Sequence, residues 1–177
     1  RAFRNEGIGY IPTNRLQRGV SLQSTVTENS MLLSYDRFQS YGFLDNIRIH
    51  EQTKERMRQF SISGHPQQKL EELSGGNIQK VIISREISEH PELLIFSEPS
   101  LGLDTRSLQE VYRKLDAIRA HGTGIIVISS DVDEVLALAD RIVVLFNGTV
   151  AAELINRGID RHTIGEYMLG MRKEKIS

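Results

Sequence analysis

The residues best suited to chemistry in this chain stand in one octapeptide, Leu73-Ser74-Gly75-Gly76-Asn77-Ile78-Gln79-Lys80. Two adjacent glycines behind a serine let the backbone approach an anion closely, and the apolar-periodic run that follows reads as a helix. A helix N-terminus offers free N–H groups and partial positive charge, so this corner suits a phosphate. A polar loop that merely caps a helix would use the same residue types. On the octapeptide alone the two readings stand level, and what lies downstream has to separate them.

The elements that must position this corner follow from hydrophobic periodicity. Ile8-Gly9-Tyr10-Ile11-Pro12 reads as a short strand closed by its proline, feeding the polar stretch Thr13 to Gly19. Thr27 is placed to cap a short helix through Leu33, and Asn46 to about Phe60 forms a longer helix with Ile47, Ile49, Met57 and Phe60 as its apolar members. Ile78, Val81, Ile82 and Ile87 stripe a helix from Asn77 to Glu89, which His90-Pro91 ends. Leu93-Leu94-Ile95-Phe96 is a continuous apolar run, the pattern of a strand buried on both faces of a parallel sheet. An amphipathic helix from Thr105 to Ala120 follows, then a second buried strand from Gly124 to Ser129 and a short helix from Asp131 to Ala139. Arg141 to Phe146 reads as a third strand, turned by the hairpin signal Asn147-Gly148 into Thr149 to Leu154. A last helix spans Asp160 to Leu169, and Met171 to Ser177 is a charged tail.

Composition narrows the function classes. A formal net charge of −1 over 177 residues argues against broad attraction to nucleic acid or anionic lipid. The absence of cysteine removes disulfides, thiolate catalysis and cysteine-based zinc sites, and fits a reducing, cytoplasmic setting. The strongest apolar run, Gly124 to Ser129, is far short of the roughly 20 residues that cross a bilayer, so any membrane link must come through a partner. The five histidines read as surface residues, none at a ligand-like spacing, and no metal is assigned to protein side chains. A start at Arg1 suggests a cut piece of a longer chain.

Four features recur in a specific order: the Ser-Gly-Gly turn with its helix, a buried strand ending in Ser97-Glu98-Pro99, the loop Leu101-Gly102-Leu103-Asp104, and a strand ending in Ser129-Ser130-Asp131. In that order the chain resembles the nucleotide-binding domains of ATP-binding-cassette transporters over nearly its whole length. Their signature is Leu-Ser-Gly-Gly-Gln, and it leads into a Walker B strand, a D-loop and a switch-histidine strand. Asn77 in place of the final glutamine, Gly9-Tyr10-Ile11-Pro12 with Arg15 following, and Gly42-Phe43-Leu44-Asp45 resemble one branch, the tandem ATPases of sugar and nucleoside importers. The similarity is nearest to their second, C-terminal cassette, and within it to the nucleoside subgroup, which also tends to lose the Walker B aspartate.

The resemblance implies an α/β fold: a P-loop NTPase-like parallel-sheet core with an inserted α-helical signature subdomain, truncated at its N-terminus. The helical subdomain is expected at about 25–90, the second half of the catalytic core at 91–154, and a C-terminal helix and tail at 155–177. It implies ATP and Mg²⁺ as cofactors. The implied partners are another ABC ATPase domain, membrane permease subunits and, indirectly, an extracytoplasmic solute-binding protein, with the chain at the cytoplasmic face of the membrane. It assigns nucleotide contacts to Ser74, Gly75, Gly76, Asn77 and Gln79, and to Thr13 at the Q-loop glutamine position. Glu98 falls at the position of the carboxylate that orients or deprotonates the attacking water.

The departures carry as much information. No Gly-x-x-x-x-Gly-Lys-Ser/Thr occurs, so the phosphate-cradling loop is expected upstream of Arg1. Ser97 replaces the Walker B aspartate, and a neutral hydroxyl is a poor substitute for a hard, charged ligand of the Mg²⁺ shell. Ser130 replaces the switch histidine that meets the γ-phosphate. Asp104 reads both as a cap of the helix at Thr105 and as a D-loop interface residue, and Asp131 reads as a cap. Two other functions stay open at this point: a soluble ATPase of the same type acting on ribosomes or DNA, and a hydrolysis-silent regulatory cassette.

Overall fold

The computed structural model describes residues 6–14, 19–40 and 42–172. Arg15, part of the branch resemblance, and most of the charged tail lie outside them. Two compact units divide the chain, Arg1–Ile126 and Val127–Ser177.

The first unit is built on strand β1 (Ile8–Ile11) and strand β4 (Leu93–Ser97), paired in parallel from Ile8 opposite Leu93 to Ile11 opposite Phe96. Strand β5 (Gly124–Ile128) completes the order β1-β4-β5. Alternation along the strands sends Ile11, Leu94 and Phe96 to one face, where all three are fully buried. They cluster with Val81, Ile82 and Ile83 of helix α3 (Gly75–Ser88) and with Val111 and Leu115 of helix α4 (Thr105–Ala120). The expectation that β4 is buried on both faces is corrected. Leu93 and Ile95 are half-buried, and on the neighbouring strands Tyr10 is 48% and Ile126 47% exposed. The helices α3 and α4 share one hydrophobic cluster with the buried face, so the other face keeps its apolar side chains in partial contact with water.

The helical part of this unit comprises α1 (Val26–Met31), α2 (Asn46–Gln59) and α3, with a two-stranded antiparallel ribbon of β2 (Gln39–Ser40) and β3 (Phe43–Leu44) between α1 and α2. Thr25, not Thr27, caps α1. Its hydroxyl accepts the Glu28 N–H at 3.1 Å while the Glu28 carboxylate accepts the Thr25 N–H at 2.7 Å, a reciprocal capping box that the Thr-x-x-Glu spacing allows. Thr27 donates its hydroxyl instead to the Pro66 carbonyl. Of the apolar members of α2, Ile47 is 76% exposed, whereas Ile49 and Met57 are buried.

Two arginines are buried where these helices meet. Arg85 of α3, 3% exposed, donates to the Asn29 carbonyl at 3.2 Å and the Gly19 carbonyl at 3.0 Å, and pairs with the buried Glu86 at 3.2 Å. Arg56 of α2 donates to the Ser30 carbonyl and pairs with Glu89 at 3.2 Å. The carbonyls near the C-terminus of α1 that its own ladder cannot satisfy are thus met by guanidinium forks from the two neighbouring helices.

The second unit packs α5 (Val132–Leu138) and α6 (Arg161–Met168) with a hairpin of β6 (Arg141–Phe146) and β7 (Thr149–Ile155). Its core holds Ile142, Val144, Ala152, Ile164 and Tyr167. Asn147 and Gly148 both take positive φ, 47° and 75°, the conformation a tight two-residue hairpin turn demands. As the Asn147-Gly148 signal implies, β6 pairs antiparallel with β7, in a two-stranded sheet of its own.

Candidate functional site

Ser74 is the N-cap of α3, with extended backbone at φ −64° and ψ 152°, and its hydroxyl oxygen accepts the Asn77 N–H at 3.4 Å. Gly75 and Gly76 open the helix, Gly75 exposed and Gly76 half-buried. A Cβ on Gly75 would meet nothing within 4 Å, so no packing inside this chain demands glycine there. Asn77 turns both polar atoms inward: Nδ2 donates to the Ser74 hydroxyl and Oδ1 accepts the Ser63 N–H, each at 2.9 Å. Gln79, assigned to nucleotide by the resemblance, has its Nε2 donating to the Leu101 carbonyl at 2.6 Å.

At the end of β4, Ser97 is buried at 7% exposure and Glu98 takes a left-handed φ of 48°. That conformation costs a non-glycine residue about 1 kcal/mol or more and breaks the strand at the point where its carboxylate is offered. A turn follows in which the Leu101 N–H donates to the Glu98 carbonyl at 3.2 Å, and Gly102 has φ 75°. Asp104 then caps α4, accepting the Ser107 N–H at 3.0 Å and the Ser107 hydroxyl at 2.7 Å. The structure therefore brings together the Ser74–Gln79 turn and the 98–104 turn. Thr13 is exposed beyond the end of β1. Ser130 belongs to the second unit, exposed ahead of Asp131, whose carboxylate accepts the Asp133 and Glu134 N–H groups and so caps α5. Among the described residues no three His, Asp or Glu side chains gather as a metal site.

The N–H of Ser107, and after it the Ser107 hydroxyl, hold the Asp104 carboxyl below its ordinary value of 3.8. A depressed folded pKa means that this cap contributes fully above the unfolded value and is lost as pH falls through the folded one. Asp104→Asn keeps an acceptor but does not titrate, so it is expected to flatten part of the acid limb of an unfolding curve below about pH 4. An acid limb unchanged from the parent would deny the cap this role.

Sequence reasoning missed the Arg56 and Arg85 pair and the reach of Gln79 to Leu101. The first had a readable signal: Arg85-Glu86 interrupts the apolar stripe Val81, Ile82, Ile83 and Ile87 on α3.

The family model described as ABC transporter matches residues 1–101, more than half of the chain. The chain belongs to the ABC transporter family. Relatives of this ABC ATPase domain include a nucleoside import ATP-binding protein of Lactococcus lactis subsp. cremoris, 35% identical over 96% of this chain and 34% of that protein. A ribose import ATP-binding protein of Mesorhizobium japonicum is 36% identical over 92% of this chain and 32% of its own length. A glucose import ATP-binding protein of Haloferax volcanii is 33% identical over 96% and 32%. The ABC ATPase domain described here thus spans about a third of the length of these relatives, and near-equal identities do not single out the nucleoside subgroup. Solved ABC cassettes share its fold: an ATP-binding subunit of an ABC transporter superposes with TM-score 0.75 at 21% identity, covering 95% of this chain and 70% of that one. A dimeric cassette bound to ADP and Pi gives 0.72 at 22% identity, covering 89% and 66%. Among the described residues of the ABC domain, no helix is long and apolar enough to cross a membrane.

Proposed function

We propose that this chain is the signature-bearing part of an importer's ATP-binding domain, coupling ATP binding and hydrolysis to uptake of a sugar, nucleoside or similar small solute. The observation that carries the reading is the exposed, serine-capped turn at Ser74–Gly76, where a Cβ added to Gly75 would meet nothing within 4 Å. A glycine that no internal contact requires suits a surface where something external comes close to the backbone. In a head-to-tail pair of cassettes, Ser74, Gly75 and Gly76 would close over ATP held by the other cassette, in the same polypeptide or in a second copy. Bound there, ATP would supply the γ-phosphate charge that the first-turn N–H groups are oriented to meet.

The chain's own ATP site is degenerate in this proposal. Ser97 stands at the end of β4 with a hydroxyl in place of a carboxylate, a donor set that does not fit Mg²⁺ well. Ser130 offers a second hydroxyl in place of an imidazole. Glu98 retains its carboxylate, so the own site is slow rather than silent. Closure of the pair would drive membrane permease subunits from the cytoplasmic face, with an extracytoplasmic solute-binding protein delivering solute to them.

Labelling tests the reading directly. In the full-length protein, Ser74→Cys is expected to react with an ATP analogue bearing a thiol-reactive group on its γ-phosphate. The reaction should disappear when the Walker A lysine of the other cassette is replaced. Labelling that survives that replacement would mean Ser74 meets no nucleotide on a partner.

A further inference from the structure

The 98–104 turn lies directly against the first turns of α3, and one side chain joins the two. Gln79 Nε2 donates to the Leu101 carbonyl at 2.6 Å. The next residue, Gly102, has φ 75°, and a Cβ built on it would collide with the Gln79 amide, so the turn is shaped around that side chain. The Gly102 carbonyl in turn lies 3.9 Å from where a Cβ of Gly76 would stand. A Cβ built on Gly75, one residue earlier, would meet nothing within 4 Å. The outward side of the glycine turn is therefore unsupported, and support comes from below.

That support is stiff. The turn begins where the Leu101 N–H meets the Glu98 carbonyl at 3.2 Å, and it ends at Asp104, which caps α4 through two bonds to Ser107. Asn77 supplies a second tether, accepting the Ser63 N–H through its carbonyl oxygen and donating to the Ser74 hydroxyl through its amide nitrogen. Gln79 Oε1 is buried and has no hydrogen-bond partner among the described residues, so the amide is held by its donor alone. A group at position 79 without that donor would set an acceptor or an inert atom against the Leu101 carbonyl, leaving that backbone oxygen without this bond.

We propose that Gln79 is a positioning residue: it braces the Ser74–Gly76 turn on the 98–104 turn and so sets the position from which the signature meets a partner's nucleotide. This rests on the signature assignment proposed above. Gln79 faces its own chain, so its influence on nucleotide passes through the geometry of the glycine turn. Affinity for ATP on the other cassette is governed by that cassette's phosphate loop. A loosened signature therefore appears in turnover and leaves KM in place, since donors misplaced by a fraction of an ångström lose most where charge develops.

Steady-state ATPase assays on the full-length protein test this with three variants. Gln79→Glu has the same length and no donor, Gln79→Met has no donor and no charge, and Gln79→Lys restores an N–H donor at that reach. Expected are about tenfold losses of kcat for Gln79→Glu and Gln79→Met, the scale of one hydrogen bond, with KM for ATP within about twofold of the parent. Gln79→Lys is expected to recover most of the turnover. In a Glu98→Gln background the Gln79→Met loss should persist undiminished, because the brace acts on the signature and not through the own-site carboxylate. Parent-like turnover in Gln79→Met overturns the proposal. So does a loss carried in KM, which would mark a direct nucleotide contact, or a Gln79→Lys as slow as Gln79→Met. Gly75→Asp separates the two levels: if it abolishes turnover while Gln79→Met is neutral, only the brace is wrong. If Gly75→Asp is itself neutral, the signature assignment fails.

Discussion

Gly75→Asp in the full-length protein is expected to reduce ATP hydrolysis at least about 100-fold, the scale on which loss of a transition-state donor is felt. Glu98→Gln is expected to cost less than about threefold. The contrast follows from where each group stands. A carboxylate at position 75 would project from an exposed helix N-terminus into the space assigned to a partner's γ-phosphate, replacing attraction by repulsion. The same substitution is harmless to the fold, because its Cβ meets nothing within 4 Å and an acidic residue in the first turn of a helix favours the macrodipole. Loss of function without loss of stability is therefore the expected signature. Glu98 follows Ser97, which stands where the family has an aspartate, and in the function proposed above the chain's own site is slow, so removing a base from it would change the total little. Equal large losses from the two variants would show two competent sites and defeat the asymmetry.

Arg85→Met is expected to destabilise the protein by about 3–5 kcal/mol, read as a lower urea midpoint of the transition that melts this unit. The guanidinium is 3% exposed, donates to carbonyls of Gly19 and Asn29, and is the cation beside Glu86, itself 1% exposed. Methionine of similar length can fill the space, but it restores neither donor and removes a cation that pairs with the buried Glu86 carboxylate. The loss also removes the hydrogen bond that ties the Gly19 carbonyl to α3. Arg119→Met is the control: its pair with Asp116 at 3.4 Å lies on the surface, with side chains 50% and 65% exposed, and screened pairs of that kind contribute little. A midpoint for Arg85→Met as near the parent's as that of Arg119→Met would mean the buried network is dispensable.

How much could be read in advance varies with the range of the interaction. The helices at 46–59, 75–88 and 105–120 and the hairpin at Asn147-Gly148 follow from local signals that the structure repeats within a residue or two. The capping of α4 by Asp104 and α5 by Asp131 was legible for the same reason, since a cap involves neighbours three residues apart. The cap of α1 lies two residues before the expected Thr27: the two threonines are chemically alike, but only Thr25 has a glutamate three residues on, Glu28, to close a capping box. The half-open face of the sheet was not legible, because a run such as Leu93 to Phe96 records what the strand tolerates on each face and not which elements arrive to cover it.

The sequence by itself determined the family, the order of the motifs and the departures at Ser97 and Ser130, since these are matters of residue identity and spacing along the chain. Tertiary structure alone decided which of those residues act together. Gln79 and Leu101 are 22 positions apart, and Arg85 and Gly19 are 66 apart. No periodicity links partners so distant, because their meeting depends on the packing of α3 against β1 and on the path of the turn after β4. The same packing leaves Gly75 facing open space, and that vacancy beside a rigidly braced turn is what gives the glycines their proposed role.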